Sequence, residues 1–404
     1  MSSLVNIPNG WEETILDDVT HKITDGSHQS PKAFEGGFPM LSVKDMNEYG
    51  FDIKNSKTIS ESDYLKLVKQ GCRPEVNDIL IAKDGSVLKH IFKVDEEIDA
   101  VLLSSIAIVK PNIELINPDY LVYLLLNPVF KKYIINNFLS GSGVPRIVLK
   151  DFKKIIFNLP SLPEQKAIAN ILTAFDDKIE NLQAQNKTLE QTAQTIFAAW
   201  FGKYQVGDEL PEGWRVGKLS EIAEFLNGLA LQKYPPIAGE KTLPVIKIRE
   251  LKQGITSNTD KANTHLDKKY IIQNGDVLFS WSGSLEVVIW QNGKGALNQH
   301  LFKVSSEEFP KWFYYFWILH HLREFKGVAA NKATTMGHIN RKHLDLAEVI
   351  IPDEVSLKKY NQIFNPLIKK LENNHQKIQT LKKTRDTLLP KLMSGQLRVN
   401  DFKD

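Results

Sequence analysis

The chain repeats itself. Pro8-Asn9-Gly10-Trp11 returns as Pro211-Glu212-Gly213-Trp214, an offset of 203. Tryptophan occurs only 7 times in 404 residues, so Pro, Gly and Trp recurring in one register mark a duplication. The match continues: "FPMLSVKDM" (38–46) finds "LPVIKIREL" (243–251), and "DILIAKDGS" (78–86) finds "DVLFSWSGS" (276–284). "RIVLKDFKKIIFNLP" (146–160) finds "HINRKHLDLAEVIIP" (338–352). Insertions and deletions in loops between fixed elements account for the drift of the offset to 192. The chain must therefore fold as two copies of one unit of roughly 200 residues.

Each copy opens with a strand-rich region. "FPMLSV", "NDILIAKDG" and "VLLSSIAIVK" are short apolar runs bounded by turn-forming residues, and "LPVIKI", "GDVLFSWSG" and "ALNQHLFKV" echo them. Aromatic amphipathic helices are expected over 117–138 and 309–325. The pattern predicts an α+β domain in each copy.

Each copy then ends in a long helix. Ser161 and Glu164 are spaced as a capping box, and Gly202 marks a stop. Between them Ile168, Phe175, Leu182, Leu189 and Ile196 recur every seventh residue, interleaved with Leu172, Ile179, Asn186, Ala193 and Trp200. The second copy carries Tyr360, Leu367, Asn374, Leu381 and Leu388 with Phe364, Leu371, Ile378, Arg385 and Leu392. Such rows predict coiled-coil helices, and each would leave an apolar stripe in water unless paired. The chain direction makes the pair antiparallel, with a globular domain at each end. Pro366 and Pro390 are expected to kink or interrupt the second helix. The segments expected are a first domain over 1–160, a helix and linker over 161–205, a second domain over 206–352 and a C-terminal helix over 353–404.

Composition removes several functions. No apolar run approaches the ~20 residues of a membrane span, and "MSSLVNIPNG" has neither the basic nor the apolar region of a signal peptide. A single cysteine, Cys72, cannot form an intrachain disulfide and fits a reducing cytoplasm. The histidines show no metal-ligand spacing with it, so no metal site is expected. Net charge is −3 over 1–160, −1 over 161–205, +2 over 206–352 and +5 over 353–404. None of these is the strongly basic footprint of a protein that grips nucleic acid alone. No Gly-x4-Gly-Lys-Ser/Thr occurs, so an ATP-driven motor is not encoded.

Several segments resemble one family, the specificity subunits of Type I restriction–modification systems. "LPEGWRVGKLSEIAE" resembles the opening of a target-recognition domain, and "ITDGSHQSPKAFEGGFPMLSVKDM" an early loop of one. "LPSLPEQKAIANIL" resembles the start of the family's central helix and "TRDTLLPKLMSGQLRV" the end of its last. The second copy departs in "IPDEVSLKKYNQIF", which lacks the Pro-x-Glu-Gln opening, so its helix is expected to begin differently. The resemblance implies two pseudo-symmetric target-recognition domains joined by two antiparallel coiled-coil helices. It implies a subunit that is not itself an enzyme and reads a bipartite, asymmetric double-stranded DNA target, one domain per half-site. The helices would set the spacer. Two methyltransferase subunits and, through them, restriction/translocase subunits would dock, and S-adenosylmethionine, ATP and Mg would be bound by those partners. The alternative is a protein–protein scaffold with no sequence-specific DNA readout.

Candidate contacts follow from loop position and side-chain chemistry. Thr24, Asp25, Ser27 and His28 lie on an Asp-Gly turn, where they could meet base edges or simply form the turn. "AKDGS" (82–86), with Lys83 and Ser86, and "SWSGS" (280–284), with Trp281, Ser282 and Ser284, occupy equivalent places but differ in chemistry. Two different half-sites would require such a difference, although drifting hairpin surfaces would also produce it. The loops before the last strand of each domain offer Arg146, and Lys332, Thr334, Thr335 and His338. Lys44, Lys247 and Arg249 flank the repeated "FPMLSVKDM" and "LPVIKIREL" strands. "NPDY" (117–120) superficially matches a base-flipping motif, but Asn and Pro there open a helix. No catalytic residue is expected. Asn186, Asn374 and Arg385 are polar seam positions that fix register or else sit partly exposed; the first reading is preferred for Asn186, the second for the other two.

Overall fold

The structure, a computed structural model, describes residues 7–141, 143–204, 207–330 and 337–399. Two compact units divide the chain, one of residues 1–178 with 381–404 and one of 179–380. Each unit thus takes in part of both long helices, which sequence segmentation had set apart.

The first unit is built on a four-stranded antiparallel sheet in the order Thr20–Asp25, Ile106–Pro111, Ile79–Ala82, Ile91–Lys93. The second repeats it as Glu224–Asn227, Leu301–Ser305, Val277–Ser280, Val287–Ile289. A second sheet in each unit contains one parallel pair: Phe38–Leu41 with Val101–Leu102, and Thr242–Ile246 with Gly295–Leu297. The run "VLLSSIAIVK" is therefore two strands in two sheets, with Leu103–Ser105 as the turn between them. The first strand of each unit also pairs with the strand preceding a long helix, Glu12–Ile15 with Ile156–Leu159 and Arg215–Lys218 with Glu348–Ile351.

Two helix expectations change. The segment 117–138 is two helices, Pro118–Leu126 and Pro128–Phe138. Pro128 disfavours α geometry at the residue before it, and Asn127 is extended at ψ 121°. Asn117 caps the first of these helices, accepting from Tyr120 N–H at 2.9 Å, so "NPDY" is a helix start. The second long helix is unbroken over Glu354–Met393 and runs through both Pro366 and Pro390. Each proline removes one backbone bond at a cost of about 3 kcal/mol. Phe364, Ile368, Leu389 and Leu392, all buried beside them, offset that cost.

The first long helix spans Leu162–Phe197 and ends in a π-helical turn, Ala198–Gly202. Glu164 accepts from Trp11 Nε1 at 3.2 Å and pairs with Arg398 Nε at 2.8 Å. In the second unit Trp214 stacks on Phe201 at 5.7 Å. Asp353 caps the second long helix through the Val355 and Ser356 N–H groups, 2.9 and 3.0 Å away, in place of the Pro-x-Glu-Gln opening. These bonds hold the Asp353 carboxyl below the usual carboxylate range, the Ser356 hydroxyl contributing most. The repeated Pro-x-Gly-Trp motif thus packs on a long-helix end in each unit. Gln165 of the first copy is fully buried and bonds the Leu115 and Pro160 carbonyls and Asn117 N–H.

Within each unit the long helices run antiparallel. In the second, Trp200 meets Tyr360, Phe197 meets Phe364, and Asn186 meets Asn374. Asn374 is 1% exposed and donates to Asn186 Oδ1 at 2.9 Å, so it does not sit at a partly exposed position. In the first unit Arg385 pairs with Asp176, whose other oxygen accepts from Tyr123 Oη at 2.7 Å. Burial works against the Arg385 charge, but Asp176 and Asp386 outweigh it and raise its pKa. Among the described residues no helix is long and apolar enough to cross a membrane, and no group of three His, Cys, Asp or Glu could hold a metal.

Candidate nucleic-acid interface

The same backbone corner is built twice. In the first unit Gly26 N–H bonds Ile106 O, Ser27 N–H bonds Leu102 O, and Ser104 N–H bonds Ser27 O. The second unit makes the corresponding bonds Gly228 to Leu301, Leu229 to Leu297 and Gln299 to Leu229. Lys83 N–H bonds Ser105 O just as Trp281 N–H bonds His300 O. The hairpin tips then join the last loop: Gly85 to Pro145 and Gly283 to Gly337, both at 2.8 Å, with bridges Asp84–Arg146 and Ser282–His338. These bonds equate Asp25 with Asn227, Lys83 with Trp281, Ser104 with Gln299, and Ser105 with His300.

Glycine is required where the strands meet. A Cβ on Gly26 would stand 2.1 Å from the Leu102 carbonyl oxygen, and one on Gly228 2.2 Å from that of Asn298. Gly85 and Gly283 turn the hairpins with φ of +71° and +64°, a region that side chains disfavour.

On this shared frame the side chains differ. In the first unit Lys83 Nζ lies 3.4 Å from Asp25 and 3.0 Å from Asp84, and the Lys83 and Asp25 side chains are only 8% and 9% exposed. His28, 77% exposed, reaches the other Asp25 oxygen at 3.4 Å. Asp84 Oδ1 is buried and has no hydrogen-bond partner among the described residues. Arg146 is exposed at the rim.

In the second unit Trp281 Nε1 donates to Asn227 Oδ1 at 3.0 Å and to Gln299 O at 3.1 Å. Its ring lies 5.8 Å from that of His300 and 6.4 Å from that of His338. Ser282 Oγ shares a 2.9 Å hydrogen bond with His300 Nδ1. A cavity of about 390 Å³ opens beside these groups, lined among others by Leu231, Lys247, Arg249, Asp260, Gln299 and His300. An ion pair of the first unit is thus replaced in the second by an indole–amide bond beside two imidazoles.

The other candidates fall around these corners. Thr24 precedes Asp25 on its strand and is half-buried. Ser27 is buried, with its hydroxyl donating to Gln29 O and accepting from Gln29 N–H, so it shapes the turn and is not presented to a base. Ser86 lies in the tip turn, and its carbonyl accepts from Lys89 N–H at 3.0 Å. Lys44 is exposed on the turn Val43–Asp45, which joins the corner through Val43 N–H to Ser105 Oγ at 3.2 Å. Lys247 pairs with Asp260, and Arg249 bonds Glu250 and Asn258 O. Ser284 accepts from Lys252 and donates to Glu286. Lys332, Thr334 and Thr335 lie outside the described residues. Sequence reasoning missed Asn227, Ser104, Ser105, Gln299 and His300. "TDGSH" and "LNGLA" share only the glycine, and the last four sit inside apolar runs whose pattern predicts strand.

Comparison with known proteins agrees with the duplicated architecture. The family model described as Type I restriction modification DNA specificity domain matches twice, over residues 8–191 and 211–383. The Type I restriction enzyme MjaIX specificity subunit of Methanocaldococcus jannaschii is 26% identical, covering 98% of this chain and 95% of the relative. The HindI specificity subunit of Haemophilus influenzae is 22% identical over 96% of this chain and 99% of its own. The crystal structure of a Type I restriction–modification system S subunit from M. genitalium aligns with a TM-score of 0.55 at 16% identity, covering 96% and 97% of the two chains. With two matched domains filling most of its length, the chain belongs to the Type I restriction–modification DNA specificity family.

Proposed function

We propose that this chain is the non-catalytic DNA-reading subunit of a Type I restriction–modification enzyme. Each unit reads one half of a bipartite target in double-stranded DNA, and the long helices set the unread spacer. Two methyltransferase subunits dock on the chain and methylate adenine; restriction/translocase subunits join through them. S-adenosylmethionine, ATP and Mg belong to those partners.

One observation carries the reading: equivalent backbone corners hold Asp25 and Lys83 in one unit and Asn227 and Trp281 in the other. Phosphate contacts position a protein on DNA, whereas base-edge contacts specify sequence. A common frame with exchanged polar groups therefore suits two unlike half-sites. Because 1–160 is net acidic, most phosphate neutralisation comes from the methyltransferases.

The test is a gel shift with a split-site duplex, with and without the methyltransferase subunits, the site taken from the methylated adenines of the source genome. Weak, poorly discriminating binding by the chain alone and tight specific binding after assembly are expected. Equal affinity of the assembly for the site and for scrambled DNA would leave only a protein scaffold.

A further inference from the structure

Three residues in each unit form a turn whose backbone is pinned identically while every side chain differs. Leu103 N–H bonds Leu41 O, Ser104 N–H bonds Ser27 O, and Ser105 O accepts from Lys83 N–H at 3.0 Å. Asn298 N–H bonds Ile246 O, Gln299 N–H bonds Leu229 O, and His300 O accepts from Trp281 N–H at 3.2 Å. Ile106 and Leu301 close the two turns by bonding back to the Leu103 and Asn298 carbonyls, each at 3.0 Å. Two side chains add to this frame, Ser105 Oγ accepting from Val43 N–H and Asn298 Oδ1 from His300 N–H, both at 3.2 Å. The other bonds are backbone bonds that do not depend on side-chain identity, so Ser104 and Gln299 in particular can change without refolding the frame.

Leu103, Ser104 and Ser105, and Gln299 and His300, are half-exposed, neither buried as core nor free to wander, while Asn298 is buried. Gln299 and His300 line the cavity beside Arg249 and Lys247. Ser282 engages His300 Nδ1, and the other ring nitrogen lies 3.4 Å from Gln299 Nε2, so the two polar ends stand side by side. A glutamine amide presents one donor and one acceptor, the pair that matches the N6 and N7 edge of adenine, whereas a serine hydroxyl accommodates several bases.

We propose that this turn is the main base-discriminating element of each unit, with Gln299 and His300 reading one half-site and Ser104 and Ser105 the other. The inference rests on the DNA-reading function proposed above.

The chain is assembled with its methyltransferase subunits and given duplexes randomised in both half-sites, and the methylated adenines are sequenced. Three variants are compared with the native chain: Q299S/H300S, S104Q/S105H and Q299A. Q299S/H300S is expected to change base preference by roughly tenfold or more at one or two positions of a single half-site. S104Q/S105H should change the other half-site. Q299A should relax the preference at one position of that half-site in whatever methylation remains. Native preferences retained in both half-sites by the double variants overturn the proposal. If those variants are inactive, an unaltered preference in Q299A overturns it as well. A native assembly that methylates without regard to sequence refutes instead the DNA-reading function itself.

Discussion

Replacing both asparagines of the helix seam in the second unit, as N186L/N374L, is expected to stabilise that unit. Asn374 Nδ2 donates to Asn186 Oδ1 at 2.9 Å, and both residues are at most 5% exposed. Asn186 Nδ2 is buried and has no hydrogen-bond partner among the described residues. The single hydrogen bond contributes about 1 kcal/mol net, while the orphaned amide costs about 1–3 kcal/mol. Two buried leucines add about 1.5–3 kcal/mol each, from which the strain of larger side chains takes roughly 1–3 kcal/mol. The net gain is on the order of 2–4 kcal/mol. The single variant N374L strands both polar ends of Asn186 and should fall below the double variant by at least ~2 kcal/mol. Six of the seven tryptophans lie in the second unit, so fluorescence during urea unfolding reports largely on it. The double variant should unfold about 1 M higher in urea than the native chain. An unchanged or lower midpoint would refute the reasoning, because the pair would then be a net stabiliser of the seam.

Removing Lys83 as K83M leaves the nearly closed Asp25 carboxylate with only the exposed His28 beside it, and the first unit should lose roughly 3 kcal/mol; calorimetry should show D25N/K83M recovering part of that. G26A places a Cβ 2.1 Å from the Leu102 oxygen, so the strands must separate, and methylation should lose preference in the first unit's half-site alone; loss in both halves would contradict independent reading. Burial lowers the pKa of His320 and of His375 below the ordinary 6.5, with His321 also acting on His320. The unfolded chain therefore takes up protons first as pH falls below about 6.5, so these histidines should make the second unit less stable between pH 6.5 and 5. Urea midpoints across that range should flatten in H320Q/H375Q, and an unchanged slope would assign the effect elsewhere.

The duplication was legible because the tryptophan and glycine of each motif have a fixed structural role. Trp11 reaches Glu164, Trp214 packs on Phe201, and the glycines of both motifs have positive φ. The heptads were legible because a seam repeats one chemistry many times. Other features were hidden for physical reasons. Pro366 and Pro390 argued for a broken helix because their local cost is visible in sequence, while the burial that offsets it is not. The helix over 117–138 was over-extended because apolar periodicity continues through Asn127 and Pro128 while the backbone does not. Lys83 and Trp281 align in sequence, but their partners Asp25 and Asn227 do not, since only the glycine beside them is fixed by packing. Ser104, Ser105, Gln299 and His300 were concealed inside apolar strand runs, and only the backbone bonds identify them as one turn.

The frame's rules explain why specificity can diverge while the fold does not. Changing a half-exposed side chain away from tight packing alters stability by about 0.5 kcal/mol, far less than a Cβ forced into a carbonyl oxygen. The corner separates these two kinds of position. Gly26, Gly85, Gly228 and Gly283 sit where the backbone allows no side chain or only a strained one. Ser104, Arg146, Gln299 and His338, by contrast, are held in the corner by main-chain hydrogen bonds and bridges. Exchange at the second set leaves the sheets intact and alters only what the corner presents. A duplicated unit can then keep one architecture while its two copies acquire different polar surfaces. That divergence is what the proposed reading of two unlike half-sites demands of a duplicated chain.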